Sequence, residues 1–184
     1  MATKKELRKI AKDIRKRLDI KDVSEKILNN FLASSYYKTS GNIALYYPTG
    51  TELDLTPLFD DKNKNFYLPK ISDTSNEMFF VKYEKNKTVL IENKYKILEP
   101  EGNKINPQII DLMILPALMA DNNGYRLGYG GGYYDKFLNT NNIKVPKIIL
   151  IPDELLVTNL PKETYDIPAN IIITPSKVIE AHQK

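Results

Sequence analysis

The feature that most restricts this chain is Gly128-Tyr129-Gly130-Gly131-Gly132, four glycines in five positions. Fixing each glycine costs roughly 0.5–1 kcal/mol of chain entropy relative to alanine. A segment that served only as a connection would seldom carry so many. The run lies within a longer stretch from Asn123 to Lys136. Ahead of it, Asp111 to Pro116 reads as a buried strand ended by proline, and after Gly132 the apolar spacing of Tyr133, Tyr134, Phe137 and Leu138 is helical. The predicted unit is strand, glycine loop, helix.

A glycine run lets successive backbone N–H groups turn inward, and the following helix adds its unpaired N–H groups and positive dipole end, so the loop suits an anion. Spacing excludes two familiar phosphate loops. No Gly-Lys-[Ser/Thr] ending follows, and Tyr133 stands where a dinucleotide fingerprint needs its third small residue. Arg126 offers charge to phosphate. Asp135, facing the same mouth from the first helical turn, repels phosphate unless a cation lies between, which suggests a nucleotide with magnesium. The alternative is a tight connection in which Asp135 merely favours the helix N-terminus.

At 184 residues the chain is expected to form one domain, residues 1–184, that buries close to 70% of its unfolded surface. It has no cysteine, so disulfides, thiolate metal sites and a nucleophilic thiol are excluded. The charged stretch from Met1 to Leu18 is unlike a signal peptide, and no apolar run reaches the roughly 18 residues of a membrane span. A soluble cytoplasmic protein is the expectation. The formal charge of +4 is too small to argue for a polyanionic partner. The single histidine, His182, is read as a solvated tail residue, which argues against a histidine base.

Thr3-Lys4-Lys5-Glu6 has the form of a capping box and predicts a helix from Lys4 to Leu18, with Leu7, Ala11, Ile14 and Leu18 as its core stripe. At about 100° per residue, Lys5, Lys9, Lys12 and Lys16 fall on the far side. Lys4, Arg8 and Arg15 fall along one border of the apolar arc, where they either lie solvated or direct charge into a neighbouring cleft. A second amphipathic helix is predicted to end near Ser34. Ile43 to Tyr47 reads as a strand closed by Pro48-Thr49-Gly50. If the sheet is open and parallel, Tyr47 and Glu52 face the ligand crevice; otherwise they belong to an ordinary turn. Further strands are predicted at Phe66–Lys70, Met78–Lys82, Lys147–Ile151 and Ile171–Thr174. Tyr95 and Asp166 are, from pattern alone, loop residues. The alternation of strands and helices predicts an α/β fold: a single-domain three-layer α/β/α sandwich on a mostly parallel or mixed sheet.

The segment from Arg126 to Asp135 closely resembles the 5-formyltetrahydrofolate cyclo-ligase family, also called 5,10-methenyltetrahydrofolate synthetase. Its members carry Asn-Arg-Leu-Gly-x-Gly-[Lys/Gly]-Gly-Tyr-Tyr-Asp there. The chain departs from the pattern at Tyr125, where the family often has asparagine, and has Gly131 where some members have lysine. Weaker matches are Lys4, Leu7 and Arg8, the stretch from Tyr46 to Asp54 (with Leu55 for the usual threonine), and Lys94 to Pro100 (with Leu98 for a proline).

The resemblance implies a fold of the sugar-phosphate isomerase/CoA-transferase-like superfamily and ATP- and Mg2+-dependent conversion of 5-formyltetrahydrofolate to 5,10-methenyltetrahydrofolate. It implies Arg126 and Asp135 as catalytic residues. It implies ATP contacts from Lys4, Lys5, Glu6, Leu7 and Arg8, and from Arg126, Leu127, Gly128, Tyr129, Gly130, Gly131, Gly132, Tyr133 and Tyr134. Folate falls to Tyr47, Glu52, Tyr95, Tyr129, Gly130, Gly131, Gly132 and Tyr133, and the metal to Asp135 with Asp166. The implied partner is the small-molecule folate, for a monomer or small homo-oligomer without nucleic acid or membrane. Two readings compete. A nucleic-acid or nucleotide-binding module would use the basic first helix and show steep salt dependence. A sugar-phosphate isomerase or acyl-transferase of similar architecture would act without ATP.

Overall fold

The computed structural model describes residues 2–181; Met1 and the tail 182–184, with the expectation for His182, lie outside the described residues. Helix α1 (Lys4–Arg15) opens on the predicted capping box: Thr3 Oγ1 accepts from the Glu6 amide, and the Glu6 carboxylate accepts from the Thr3 amide. It stops short of Leu18. The amides of Arg17 and Leu18 bond to Ile14 and Arg15 in tighter turns, because Asp19 must leave helical geometry to cap α2 (Ile20–Ala33). Helix α3 (Ser35–Thr39) follows at once.

The strands are β1 (Asn42–Ala44), β2 (Asn65–Ile71), β3 (Met78–Tyr83), β4 (Leu90–Glu92), β5 (Leu98–Pro100), β6 (Leu112–Ile114), β7 (Met119–Asp121) and β8 (Arg126–Leu127). After α4 (Tyr133–Asn141) come β9 (Lys147–Leu150), β10 (Leu156–Val157), β11 (Ile171–Ile173) and β12 (Val178–Glu180). The main sheet has the order β12-β11-β9-β6-β1-β2-β3. Its five inner strands are parallel, while β12 and β3 pair antiparallel at the edges. The chain runs outward from β1 to β3, then returns to the other flank of β1 with β6, β9 and β11. The direction of travel therefore reverses between β1 and β6, and in open α/β sheets ligands bind beyond the carboxyl ends of the strands at such a point.

Strand alternation sorts the core into two clusters, one on each face. Ala44, Met113, Ile149 and Ile172 face the cluster that receives Ala11 of α1 and Phe137 and Leu138 of α4. Their neighbours Ile43, Leu112, Ile148 and Ile171 face the cluster that receives Ile27, Leu28 and Phe31 of α2 and Tyr37 of α3. The three-layer expectation holds. The inner strands were legible because both of their faces are buried, which makes them near-continuous apolar runs.

One expectation needs correction: the glycine loop does not leave β6 directly. A hairpin of β7 and β8 intervenes, and β7 pairs in parallel with β10 to form a separate small sheet. The buried Asp121 carboxylate sets the hairpin turn. Its Oδ1 accepts from the amides of Asn123 and Tyr125, and its Oδ2 from the amide of Leu160. Gly124 sits in this turn at φ +86°, where a Cβ would collide with the Ala169 carbonyl oxygen. Gly50, also left-handed at φ +57°, has open space around it.

Gly124→Ala is expected to lower stability by about 2–4 kcal/mol through strain and overpacking together, against about 1–2 kcal/mol for Gly50→Ala from strain alone. Chemical denaturation of the two variants measures the difference.

Candidate active site

The glycine loop begins at β8 and ends at α4, and one ion pair joins its two ends. Arg126 Nη2 donates to Asp135 Oδ1 at 2.9 Å, with the two side chains only 5% and 21% exposed. Arg126 Nη1 donates to the Ile167 carbonyl at 2.8 Å, and the Ile167 amide donates back to Asp135 Oδ1 at 3.0 Å. The sequence reading has Arg126 offering charge to phosphate. In the structure its guanidinium is turned inward and holds Asp135 and the segment before β11 in place.

Between these anchors the loop is shaped by glycine. Gly130 lies at φ +111° and Gly132, the residue before α4, at φ +67°. Among the described residues, no backbone N–H from Tyr129 to Asp135 donates to another protein group. The loop therefore presents a series of free donors at a helix N-terminus. Arg8 backs it from α1: Nε donates to the Gly128 carbonyl at 2.9 Å, and the guanidinium lies 3.6 Å from where a Gly130 Cβ would stand.

Helix α1 divides as its angular positions predict. Lys4 and Arg8 are half-buried, while Lys5, Lys9, Lys12 and Lys16 are exposed. Lys4 Nζ reaches Asp166 Oδ2 at 2.9 Å. Glu6 is occupied by the cap, Leu7 packs against the core, and Leu127 is buried within it. The Asp166 side chain accepts further from the Glu163 amide. Among the described residues, Asp135 Oδ2 and Asp166 Oδ1 accept no hydrogen bond, and the bonded Ile167 amide brings the two carboxylates onto adjoining backbone. No group of three or more metal-ligating side chains occurs among the described residues. Two carboxylates with free oxygens fit a hard cation whose other ligands are phosphate and water. A cavity of ≈ 320 Å³ opens alongside, lined by Gly132, Asp135, Lys136, Asn139, Thr140 and Tyr165.

The other wall of the site is the turn after β1. Thr49 donates from its amide and hydroxyl to Glu52 Oε2 at 2.9 and 3.0 Å. Burial pushes the Glu52 carboxyl up, against the Thr49 bonds, a hydrogen bond from Tyr129 and the charge of Arg15. Tyr129 exposes 48% of its surface, yet burial of its phenol and the neighbouring Glu52 charge push the phenol up. Tyr134 lies between Glu52 and Arg126 in the electrostatic sense: burial and Glu52 raise its phenol, and Arg126 lowers it. Its buried hydroxyl has no hydrogen-bond partner among the described residues. A buried polar atom left in this way is what a ligand group can satisfy.

Tyr133 folds across Gly131, whose Cβ would lie 2.7 Å from the ring. Its hydroxyl donates to Asn76 Oδ1 in the turn between β2 and β3, and the neighbouring Tyr95, between β4 and β5, pushes the phenol up. Tyr47 has a different setting, stacked on Phe59 at 6.1 Å and edge-on to Tyr83 at 6.2 Å. The glycine loop thus gathers Arg8, Glu52, Tyr95, Asp135 and Asp166, each from a separate part of the chain. Sequence reasoning did not single out Tyr46, and it placed Arg15 only with Lys4 and Arg8 among border cations that either lie solvated or direct charge into a cleft. Tyr46 is buried beside Glu52, Arg15, Tyr129 and Tyr134. Arg15 carried a signal, since it lies four residues after Ala11 on the same helical face.

A family model described as the 5-formyltetrahydrofolate cyclo-ligase family matches residues 1–175. The chain is 34% identical over 146 residues to the 5-formyltetrahydrofolate cyclo-ligase of Escherichia coli (strain K12), covering 75% of this chain and 80% of the relative. It is 34% identical over 135 residues to that of Haemophilus influenzae, covering 69% and 72%. It superposes on the solved 5,10-methenyltetrahydrofolate synthetase of Aquifex aeolicus with a TM-score of 0.85 at 33% identity, over 98% of this chain and 94% of the other.

Removing Asp135 leaves a buried guanidinium without its carboxylate, whereas removing Asp166 frees a partly solvated lysine. Asp135→Ala is expected to destabilise the protein by about 3 kcal/mol and Asp166→Ala by less than about 1 kcal/mol. Equilibrium denaturation without ligand compares them.

Proposed function

Because the chain belongs to the 5-formyltetrahydrofolate cyclo-ligase family, we propose that it converts 5-formyltetrahydrofolate to 5,10-methenyltetrahydrofolate, with ATP converted to ADP and phosphate. The observation that carries this reading is the glycine loop. One side of it offers free N–H donors backed by Arg8, Lys4 and two carboxylates, and the other adjoins the half-buried Glu52 with its tyrosines. A polyphosphate and a flat, hydrogen-bonding heterocycle can meet across such a loop.

The chemistry asks the protein for placement rather than a nucleophile. A formyl amide oxygen is a poor leaving group. In the proposed sequence that oxygen attacks the γ-phosphorus of ATP, and ADP departs with the electron pair of the broken P–O bond. The folate N10 then attacks the activated formyl carbon, phosphate leaves with the former formyl oxygen, and loss of the N10 proton leaves the methenyl bridge. The lack of cysteine is consistent with this route. Lys4 to Arg8 and the loop from Leu127 to Tyr134 hold the nucleotide, its phosphates lying on the N–H groups at the start of α4. Arg126 acts by fixing Asp135. When bound, magnesium on Asp135 and Asp166 neutralises charge on the phosphate oxygens. Glu52, Tyr95, Tyr129 and Tyr133 orient the folate, and Tyr47 supports the Glu52 turn through its stacking on Phe59. Residues 1–184 act as one catalytic domain, and the small-molecule chemistry suits a cytoplasmic enzyme; among the described residues no helix is long and apolar enough to cross a membrane.

Purified protein with 5-formyltetrahydrofolate, magnesium and ATP is expected to generate the absorbance of the methenyl product, with none in a no-ATP control; product formed equally without ATP sinks the reading. Asp135→Ala is expected to lose turnover. Lys4→Ala and Arg8→Ala are expected to raise KM for ATP by about tenfold or more, with Lys12→Ala unchanged. Equal effects at all three positions would remove α1 from the nucleotide site.

A further inference from the structure

Arg15 is 3% exposed, yet it forms no ion pair within 4 Å among the described residues. Its Nη1 donates to the Thr51 carbonyl at 3.1 Å and its Nη2 to the Ala117 carbonyl at 2.7 Å, while Nε is buried without a partner. A buried cation that lacks a contacting carboxylate is an expensive arrangement. Its two acceptors have a shared position in the fold. Thr51 lies in the turn beyond β1 and Ala117 in the segment beyond β6, so the guanidinium spans the point where the sheet reverses direction. Thr51 immediately precedes Glu52, and Ala117 leads into the hairpin from which the glycine loop departs.

We propose that Arg15 is a positioning residue for folate binding, clamping the Glu52 turn to the base of the glycine loop and supplying the positive charge that Glu52 faces. This rests on reading Glu52 as a folate contact. The groups around the Glu52 carboxylate are Thr49, Tyr129, Tyr46, Tyr134 and Arg15, and of these only Arg15 is a cation. Two neutral hydrogen-bond donors alone offset only part of the cost of half-burying a carboxylate. Burial pushes the Glu52 carboxyl up and Arg15 pulls it down. Without the Arg15 charge, Glu52 takes up its proton at a higher pH, and folate recognition fails earlier on acidification.

Two variants separate charge from clamp. Arg15→Gln keeps an amide donor and removes the charge; Arg15→Lys keeps the charge and can reach only one carbonyl. Steady-state KM for 5-formyltetrahydrofolate and for ATP is measured for both across the acid range. In Arg15→Gln, KM for folate is expected to rise about tenfold, the factor of one pK unit, with KM for ATP within about twofold. The pH at which KM for folate begins to climb should move upward in Arg15→Gln and return toward wild type in Arg15→Lys. Equal rises in both KM values, or the same acid limb in both variants, overturn the proposal. If Arg15→Gln does not fold, Arg15→Lys decides: its KM for folate must rise while its acid limb stays that of wild type. Glu52→Gln keeps the two readings apart. An unchanged KM for folate in that variant removes the folate assignment of Glu52 itself. A raised KM to which Arg15→Gln adds its full independent factor leaves Glu52 in place and overturns the role given to Arg15.

Discussion

The pairing of Arg126 with Asp135 is the constraint on which the site depends. A run of glycines has little preference for any one path, so the loop's shape must be imposed at its ends. One side chain on β8 and one on α4 meet at 2.9 Å, and both also bond the backbone of Ile167 just ahead of β11. Strand, helix and the approach to the last parallel strand are thereby fixed to one another. The glycine backbone between them keeps its N–H groups unpaired without being free to collapse. The same contact orients Asp135 so that Oδ1 is used structurally, while Oδ2 accepts no hydrogen bond among the described residues.

Much of this organisation was legible in the residues. The apolar runs at Lys147–Ile151 and Ile171–Thr174 announced strands buried on both faces. The Thr3–Glu6 box announced the start of α1, and the angular sorting of its cations matched their burial apart from Arg15. What escaped were features made by partners distant in the chain. Strands β7, β8 and β10 are two or three residues each, too short for any periodicity, and they exist because Asp121 and the pairing with β10 hold them. Arg15 looked like one more border cation because its depth is set by carbonyls of Thr51 and Ala117, and carbonyls leave no mark in a sequence. The commitment of Arg126 to Asp135 was hidden for a related reason. Two opposite charges nine residues apart can face a common ligand or each other, and the intervening hairpin and loop decide which.

Glycine at 131 has a counterpart in the tyrosine it accommodates. The ring of Tyr133 occupies the space a Cβ would need and reaches the turns around Asn76 and Tyr95. The mouth of the site is thus closed here by an aromatic side chain that spans from the loop to the turn between β2 and β3.

Lys4, Arg8 and Arg15 lie four and seven residues apart, spacings that return to nearly the same side of an α-helix. Each touches a different wall: the Asp166 carboxylate, the Gly128 carbonyl, and the pair of carbonyls beyond β1 and β6. Helix α1 is in effect a ruler, with marks separated by about 1.5 Å per residue, that sets how far the glycine loop and Asp166 stand from the turns beyond β1 and β6. Substitutions along its outer face leave the ruler intact. The gain or loss of a single residue between Arg8 and Arg15 would turn one mark about 100° out of phase with the other, so this helix can drift in composition while its length between those two arginines stays fixed.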